Sequence, residues 1–579
     1  MPHACPAAKD GTGQASSAQC ILHIVVDDLG YDDVGYHDPS FITPKIDRLR
    51  SCGIHLDAFY AFKTCAPSRA SILAGRYPFS MGIYENADID SAGTPTNFTL
   101  LPELLHRAGF ATHAVGKWHV GFRTNAMAPT SRGFDSFIGT WHCCSDHYRY
   151  TFPGDHAVPE PVHALSRANQ RGGPVTADFA SVGAYSTEFY ANESVRIIRS
   201  HRDPNRGLYL FLSFQAVHGP YQVPEQYAAK YNSRLRSGVH RQYAGMVSAV
   251  DAAVGQVVSA SRDAHFGSRT LVVFHSDNGG VVGRNGRLRG GKFGLWEGGV
   301  RVTAFLGGPL LHGRHGEAGR VWRGLGHVSD LLPTLLSAAG VTLPDANDGS
   351  TGPTPLDGVS LWESIKANAS SPRREVVHQV INEHNFRDCA GADHDAQNCG
   401  GAIQSGRWKL LVGYPGDARD ASAKDDHRTY DKWELIKQHG GQNASAIPRL
   451  DGCHIFTGEG CPCWRGVCLY DVEADPGEQH EQSAQRPELV TVLLKRFEAV
   501  SAVAAERAAL CGKTRTEDEH ARRVAVRREH AYLPYASEQR PWLNDKNSQD
   551  ARACRRYVVG SVPWWYRGQP MWPYSQQQR

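Results

Sequence analysis

No apolar run in this 579-residue chain approaches the roughly 20 residues that a bilayer-spanning helix needs, so no membrane span is expected. Residues 1–19, MPHACPAAKDGTGQASSAQ, hold no uninterrupted apolar stretch of signal-peptide type. They read as a low-complexity tail: a leader has been removed, the gene model is truncated, or the protein is not secreted. Charge of one sign is missing too. The 62 basic and 59 acidic side chains leave a formal +3, which gives no reason to expect a nucleic-acid partner. Zinc-type spacing is also absent. Cys461, Cys463, Cys453 and Cys468 have no His-x-x-x-His or paired C-x-x-C beside them, and disulfides are the expected state of this region.

What is present is ordinary globular composition, 41% hydrophobic and 21% charged, in a chain long enough for a large core and a smaller domain. Eight of the 14 cysteines fall in the last third (Cys389, Cys399, Cys453, Cys461, Cys463, Cys468, Cys511 and Cys554). Sequons occur at Asn97, Asn192, Asn368 and Asn443. Both features point to the secretory pathway, with a lysosomal or extracellular destination. The vicinal pair Cys143-Cys144 reads as structural.

Short apolar runs alternate with helical patterns through the first two thirds. Ile21 to Val26 and Thr270 to Phe274 read as buried strands that run into Asp27-Asp28 and Asp277-Asn278. Leu208 to Phe214 leads to His218. Leu100 to Ala108 reads as a helix stopped by Gly109, with a strand to follow over Ala111 to Val115, and Tyr243 to Ala264 carries a long helical pattern. This alternation predicts an α/β sandwich with a largely parallel or mixed sheet. Ligands in such folds sit outside the carboxyl ends of the strands, where the two acidic pairs are placed to meet. Residues 344–358 form a Gly- and Pro-rich linker. Strands at Trp408 to Val412 and Cys468 to Val472, then a helix from Glu488 to Leu510, predict a smaller α+β domain. The expected division is 20–372, 373–510 and an Arg- and Trp-rich extension over 511–579. No internal repeat is evident.

The most informative segment is Cys65-Ala66-Pro67-Ser68-Arg69-Ala70-Ser71-Ile72-Leu73-Ala74-Gly75-Arg76. It resembles the sulfatase signature C-x-P-S-R-x-x-x-L-T-G-R, with Ala74 where Thr is usual. In that family the cysteine is oxidised to formylglycine before folding. A hydrated aldehyde offers one hydroxyl to attack sulfur and a second to expel the product, through a covalent sulfo-enzyme intermediate. A metal beside the diol stabilises its deprotonated form. Hard oxygen donors select calcium, or less favourably magnesium, over a transition metal. Each acidic pair alone would be a turn or helix cap after a strand. Val26-Asp27-Asp28-Leu29-Gly30-Tyr31 and His275-Ser276-Asp277-Asn278-Gly279-Gly280 together resemble the two halves of the family's metal site. The resemblance implies metal ligation by Asp27, Asp28, Asp277, Asn278 and the residue formed from Cys65.

Gly116-Lys117-Trp118-His119-Val120-Gly121 is similar to the second sulfatase signature, with Phe110 upstream where Tyr is common. A Lys and a His two apart on a strand share one face; alone, the pair would be an exposed polar edge. The resemblance gives Lys117 a sulfate oxygen and His119 the formylglycine diol. It places His218 on the leaving-group side, a role suited to imidazole near neutral pH; alone it would be a hydrogen-bonded loop histidine. Lys292 becomes a second sulfate-binding lysine, and Arg69 neutralises the diol and metal ligands. Further segments, including His327 to Thr334 and Tyr470 to Pro476, resemble the arylsulfatase B group, the N-acetylgalactosamine-4-sulfatases.

The resemblance spans about residues 20–485 and implies an alkaline-phosphatase-like fold. The implied partners are a formylglycine-generating enzyme during maturation and a sulfated carbohydrate or aryl sulfate as substrate, with N-acetylgalactosamine 4-sulfate the nearest sugar. Two further readings stay open. A phosphate or phosphonate monoester hydrolase can share the fold, but the Cys65 motif with Lys117, His119 and Lys292 favours sulfate. A non-catalytic protein that binds sulfated glycans would have lost site residues, and none is lost.

Overall fold

A computed structural model describes residues 17–86, 93–122, 124–152, 162–235, 237–264, 266–311, 319–344, 351–381, 400–413, 415–416, 449–450, 453–454 and 466–510. The tail through residue 16, residues 385–399 and the extension from 511 onward lie outside them. Ten strands of the described residues form one sheet. They are β1 (Cys20–Val26), β2 (Ile54–Leu56), β3 (Ala111–Gly116), β4 (Ser136–Thr140), β5 (Leu165–Ala168), β6 (Thr176–Ala177), β7 (Leu208–Phe214), β8 (Thr270–Ser276), β9 (Ala304–Gly307) and β10 (Arg320–Trp322). Their spatial order is β10-β2-β9-β8-β1-β7-β3-β4-β5-β6. The five central strands, β8 to β4 in that order, are parallel, and antiparallel strands flank them. The sheet is mixed with a parallel centre, as the alternating pattern predicts.

Both faces of the sheet are covered, which explains the continuous apolar runs. In β1, Ile21 and Val25 join one core, while Cys20, Leu22, Ile24 and Val26 join the other. The first core takes in α1 (Cys65–Ala74), and the second takes in α2 (Ser186–Ser200) and α3 (Gly238–Asp263). Of the described helices, α3 alone is long and apolar enough to cross a bilayer. Its Val247, Val250, Val254 and Val257 pack into the second core instead. Helix α4 (Leu331–Ala338) adds Leu331, Leu332 and Leu335 to the first core.

A second, antiparallel sheet follows: β11 (Glu375–Gln379), β12 (Gly400–Ser405), β13 (Trp408–Gly413) and β14 (Val467–Asp471). Helix α5 (Pro487–Leu510) lies against it. A Cβ on Gly401 would come within 2.3 Å of the Phe497 ring. This is the smaller α+β element expected after the linker.

The two sheets are joined by a buried charge cluster. Lys409 Nζ on β13 lies 2.9 Å from Glu297 Oε1 and 2.9 Å from Glu478 Oε1, and all three side chains are fully buried. Tyr60 donates to Glu297 Oε2 at 2.9 Å, and the Glu297 backbone N–H donates to Glu478 Oε2 at 2.6 Å. Two carboxyls share one ammonium. Burial, with Glu297 beside it, pushes Glu478 from 4.5 up to about 7 against the pull of Lys409. A carboxyl whose folded pKa is raised favours the fold at low pH, and that contribution is lost as pH rises from 4.5 through about 7. The thermal midpoint should therefore fall across this window in the native protein. In Glu478→Gln the slope should flatten, as differential scanning calorimetry against pH would show. An unchanged slope would assign the dependence elsewhere.

Candidate active site

The parallel register of β1 with β8 pairs Val26 with Ser276, which sets Asp27-Asp28 beside Asp277-Asn278 at the carboxyl edge. The Asp28 N–H donates to Asp277 Oδ1 at 3.2 Å, and Asn278 Nδ2 donates to Asp28 Oδ1 at 2.7 Å. Asp28 takes φ +59°, a left-handed conformation that turns the chain immediately after the strand. Below the edge, His275 Nδ1 lies 2.8 Å from the Ser276 carbonyl, which fixes Nδ1 as its protonated nitrogen. Its Nε2 then accepts from His23 Nε2 at 2.9 Å, and His23 Nδ1 accepts from the Tyr209 hydroxyl at 3.0 Å. Burial pushes both imidazoles down, so this series of bonds stays neutral and ties the middle of β1 to β8 and β7.

Asp27, Asp28 and Asp277 are buried, and one oxygen from each lies within 4.8 Å of the others. Oxygens this close can share a calcium ion at about 2.4 Å from each. Asp27 Oδ1 and Asn278 Oδ1 are buried with no hydrogen-bond partner among the described residues. Buried acceptors of this kind are rare and point to a ligand. All-oxygen donors suit a hard divalent cation, so the donor set fits the ion that the resemblance implies.

Three cations face the three carboxylates. Arg69 grips Asp277 Oδ2 through Nε at 3.0 Å and Nη2 at 2.9 Å, and its Nη1 donates to Ser213 Oγ and the Lys117 carbonyl. Lys117 Nζ lies 2.6 Å from Asp27 Oδ2, and Lys292 Nζ lies 2.6 Å from Asp28 Oδ1. Burial opposes ionisation of Asp27, yet Lys117, His218, Arg69 and Lys292 together hold it well below the usual carboxylate range. Both lysines are shifted up by these carboxylates despite burial. Three negative and three positive charges balance. A bound dication would leave a surplus of two positive charges, an environment suited to an anionic substrate.

Cys65 opens α1 and is fully buried. Its Sγ lies 3.7 Å from Asn86 Oδ1, which also accepts from the Ala66 N–H at 3.0 Å. Burial pushes the thiol up to about 11, with Lys117 and Lys292 lowering it and Asp27 and Asp277 raising it. All four charges therefore act on the one sulfur. The position at a helix N-terminus adds backbone N–H groups that favour negative charge.

Lys117 and His119 reach this edge by a different route from the one expected. β3 ends at Gly116, so both residues lie in the loop beyond it and strand alternation does not apply. Gly116 has φ +102°, and a Cβ there would meet the Ser213 carbonyl oxygen at 1.9 Å. The chain must turn at that point, and His119 follows at φ +53°. His218 lies beyond the end of β7. Its Nδ1 is 2.8 Å from the Gly219 carbonyl and its Nε2 is 3.6 Å from Asp28 Oδ2. Eight of the ten residues proposed from sequence are thus linked by hydrogen bonds or ion pairs, and Cys65 lies within reach of their charges. His119 stands to one side, against His142 with ring centroids 5.0 Å apart.

The sulfatase family model matches residues 19–341, more than half of the chain. The chain belongs to the sulfatase family. This sulfatase is 31% identical over 500 residues to mouse arylsulfatase J, covering 84% of the chain and 76% of that relative. It is 34% identical over 384 residues to human N-acetylgalactosamine-6-sulfatase, covering 61% and 67%. Among solved structures it superposes on Ps i-CgsB in complex with k-i-k-neocarrahexaose at a TM-score of 0.63, with 23% identity and coverage of 86% and 98%. That likeness carries the alkaline-phosphatase-like fold. The protein is therefore a sulfuric ester hydrolase, in a family that uses a metal ion and formylglycine.

Several site neighbours were not singled out from sequence. Asn86 has no motif around it and is visible only through its contact with the α1 N-terminus. Lys409 lies in the strand expected from Trp408 to Val412, and Glu297 follows Lys292 by five residues. They clamp the loop that carries Lys292, and a charged residue amid an apolar run was the available signal. Cys143 and Cys144, which read as structural, are free thiols beside His218. Cys144 Sγ lies 3.7 Å from His218 Nε2, and its hydrogen bond holds the Cys143 thiol well below the ordinary range.

Proposed function

We propose that this sulfatase hydrolyses sulfate monoesters of a carbohydrate with a formylglycine made from Cys65, beside one calcium ion held by Asp27, Asp28, Asp277 and Asn278. The observation that carries the reading is the network of three buried carboxylates paired with three buried cations, most of which act on Cys65. The ion, when bound, polarises a sulfate oxygen and lowers the pKa of the hydroxyl next to it. Arg69 stays paired with Asp277 and keeps that carboxylate ionised. Lys117 and Lys292 hold the non-bridging sulfate oxygens, which matter only insofar as they bind the transition state more tightly than the ground state. His119 hydrogen-bonds the diol. His218, with Nδ1–H donated to the Gly219 carbonyl, presents Nε2 as the group that protonates the leaving oxygen.

The substrate we propose is a sulfated sugar such as N-acetylgalactosamine 4-sulfate. Names among the relatives, an N-acetylgalactosamine-6-sulfatase and a protein complexed with a neocarrahexaose, support a sulfated glycan and differ over the sugar. Secretion to a lysosomal or extracellular site fits two observations. Cys52 and Cys468 are disulfide-bonded, and the sequon residues Asn97, Asn192 and Asn368 are exposed. Asn443 lies outside the described residues.

Steady-state kinetics on paired nitrophenyl esters at one pH tests the reaction class. The sulfate should show a markedly higher kcat/KM than the phosphate, with inorganic phosphate inhibiting. Lys292→Ala should lower kcat/KM for the sulfate on the order of a hundredfold, as loss of one oxyanion donor does. A phosphate ester that proved the better substrate would move the protein to the phosphomonoester reading.

A further inference from the structure

We propose that His119, His142 and Cys143 form a second cation site, selective for a thiophilic divalent ion such as Zn2+ or Cd2+. Occupation of this site would switch turnover off by claiming His119. One ligand atom from each residue lies within 4.8 Å of the other two. Cys143 Sγ is already 3.2 Å from His142 Nδ1, close to the roughly 3.5 Å that separates sulfur and nitrogen donors around a tetrahedral zinc. The rings of His119 and His142 face each other with centroids 5.0 Å apart and planes 38° apart. His142 is backed by Phe152 at 4.4 Å and Phe122 at 5.7 Å, which limits its rotation and keeps it directed toward the cluster. It is also half-buried, so the cluster meets solvent through this ring while Cys143 and His119 lie behind it.

The chemistry separates this site from the acidic one. Two imidazole nitrogens and a thiolate make a soft donor set, whereas Asp27, Asp28, Asp277 and Asn278 offer only hard oxygens. Calcium should therefore keep the carboxylates while a thiophilic ion takes the Cys143 cluster. Binding would exchange the Cys143 thiol proton to solvent for a sulfur–metal bond. Both thiols of the vicinal pair are free, and Cys144 lies between Cys143, to which it is hydrogen-bonded, and His218. The site stands on these side-chain positions alone. Its effect on turnover rests on the role proposed for His119.

The test uses the calcium-loaded, thiol-reduced full-length protein titrated with Cd2+ in excess Ca2+. Binding is followed by the thiolate-to-cadmium charge-transfer band and inhibition by aryl sulfate hydrolysis. One equivalent should bind, with the band and the inhibition rising together and both reversed by a thiol chelator. Cys143→Ser and His142→Ala should keep basal turnover and weaken Cd2+ binding by at least about a hundredfold, since loss of even an outer-shell partner of a metal ligand costs about 10–100-fold. Cys144→Ser should bind nearly as well as the native protein. A missing band, unchanged affinity in Cys143→Ser, or a Cys143–Cys144 disulfide that resists reduction would overturn the site. Relief of inhibition by more Ca2+ would also overturn it, by placing the ion among the carboxylates. If the protein turned over no sulfate ester at all, the band and its stoichiometry would still decide the site, apart from the hydrolytic reading.

Discussion

Cys65→Ala should give a folded protein that no longer turns over sulfate esters, with kcat reduced by at least about 10⁴-fold, as expected when a covalent nucleophile is removed. The prediction separates chemistry from stability because the two effects differ so much in size. Cys65 is fully buried at the start of α1, and Ala there keeps the helix and the backbone N–H groups at its end. The loss is one sulfur atom and its contact with Asn86, worth on the order of 1 kcal/mol. Arg69, Lys117, Lys292 and the carboxylates keep their mutual pairs, since none of those bonds passes through the sulfur. Circular dichroism and the thermal midpoint should thus stay close to native while turnover disappears. The companion measurement is mass spectrometry of the native Cys65 peptide, which should show the thiol replaced by an aldehyde or its hydrate. Normal turnover in Cys65→Ala would remove the proposed nucleophile, and an unconverted thiol in fully active protein would do the same.

Much of this was legible in sequence for identifiable reasons. The centre of the sheet was readable because strands buried on both faces are continuous apolar runs, as Ile21 to Val26 and Leu208 to Phe214 are. The meeting of Asp27-Asp28 with Asp277-Asn278 followed from two like strands each ending in acidic residues at one edge. The placement of Lys117 and His119 was not readable from periodicity. A positive-φ glycine ends their strand, and what forces that turn is a carbonyl oxygen on β7, nearly 100 residues away in sequence. The same limit hid the cluster of Lys409, Glu297 and Glu478, whose members come from β13, the short helix Glu297–Val300 and the loop after β14. It also hid His142 and Cys143, which sit at the site only because β4 runs parallel to β3 and delivers the following loop to the same edge. Short-range pattern reports which residues are buried. Which buried groups meet depends on topology.

Removing the divalent ion should abolish activity, and adding calcium should restore it. Asp27, Asp28 and Asp277 stand opposite Arg69, Lys117 and Lys292, so the shell is neutral by itself and its ion adds the charge that attracts and stabilises a sulfate ester. Lys117 and Lys292 are each paired with a carboxylate, Asp27 and Asp28, at 2.6 Å, so the net positive charge that an anion meets must come from the ion. Exhaustive chelation should therefore raise KM and lower kcat together, with metal analysis of the active protein giving one calcium per chain. Thermal stability should change much less. An ion at about 100 times its dissociation constant adds about 2.7 kcal/mol, a small shift in midpoint for a chain of this size. Substitution of the ligands separates the two effects further. Asp28→Ala removes one oxygen donor and leaves the buried Lys292 without its partner, but a lysine can shed its proton where a guanidinium cannot. Asp277→Ala also strands the fully buried Arg69 guanidinium, which should cost a further 3–5 kcal/mol or so in stability. Both variants should be inactive, but only Asp277→Ala should be strongly destabilised. Full activity in metal-free protein, or zinc in place of calcium among these carboxylates, would exclude the hard-cation site. Equal destabilisation by the two substitutions would show that Arg69 finds another partner when Asp277 is gone.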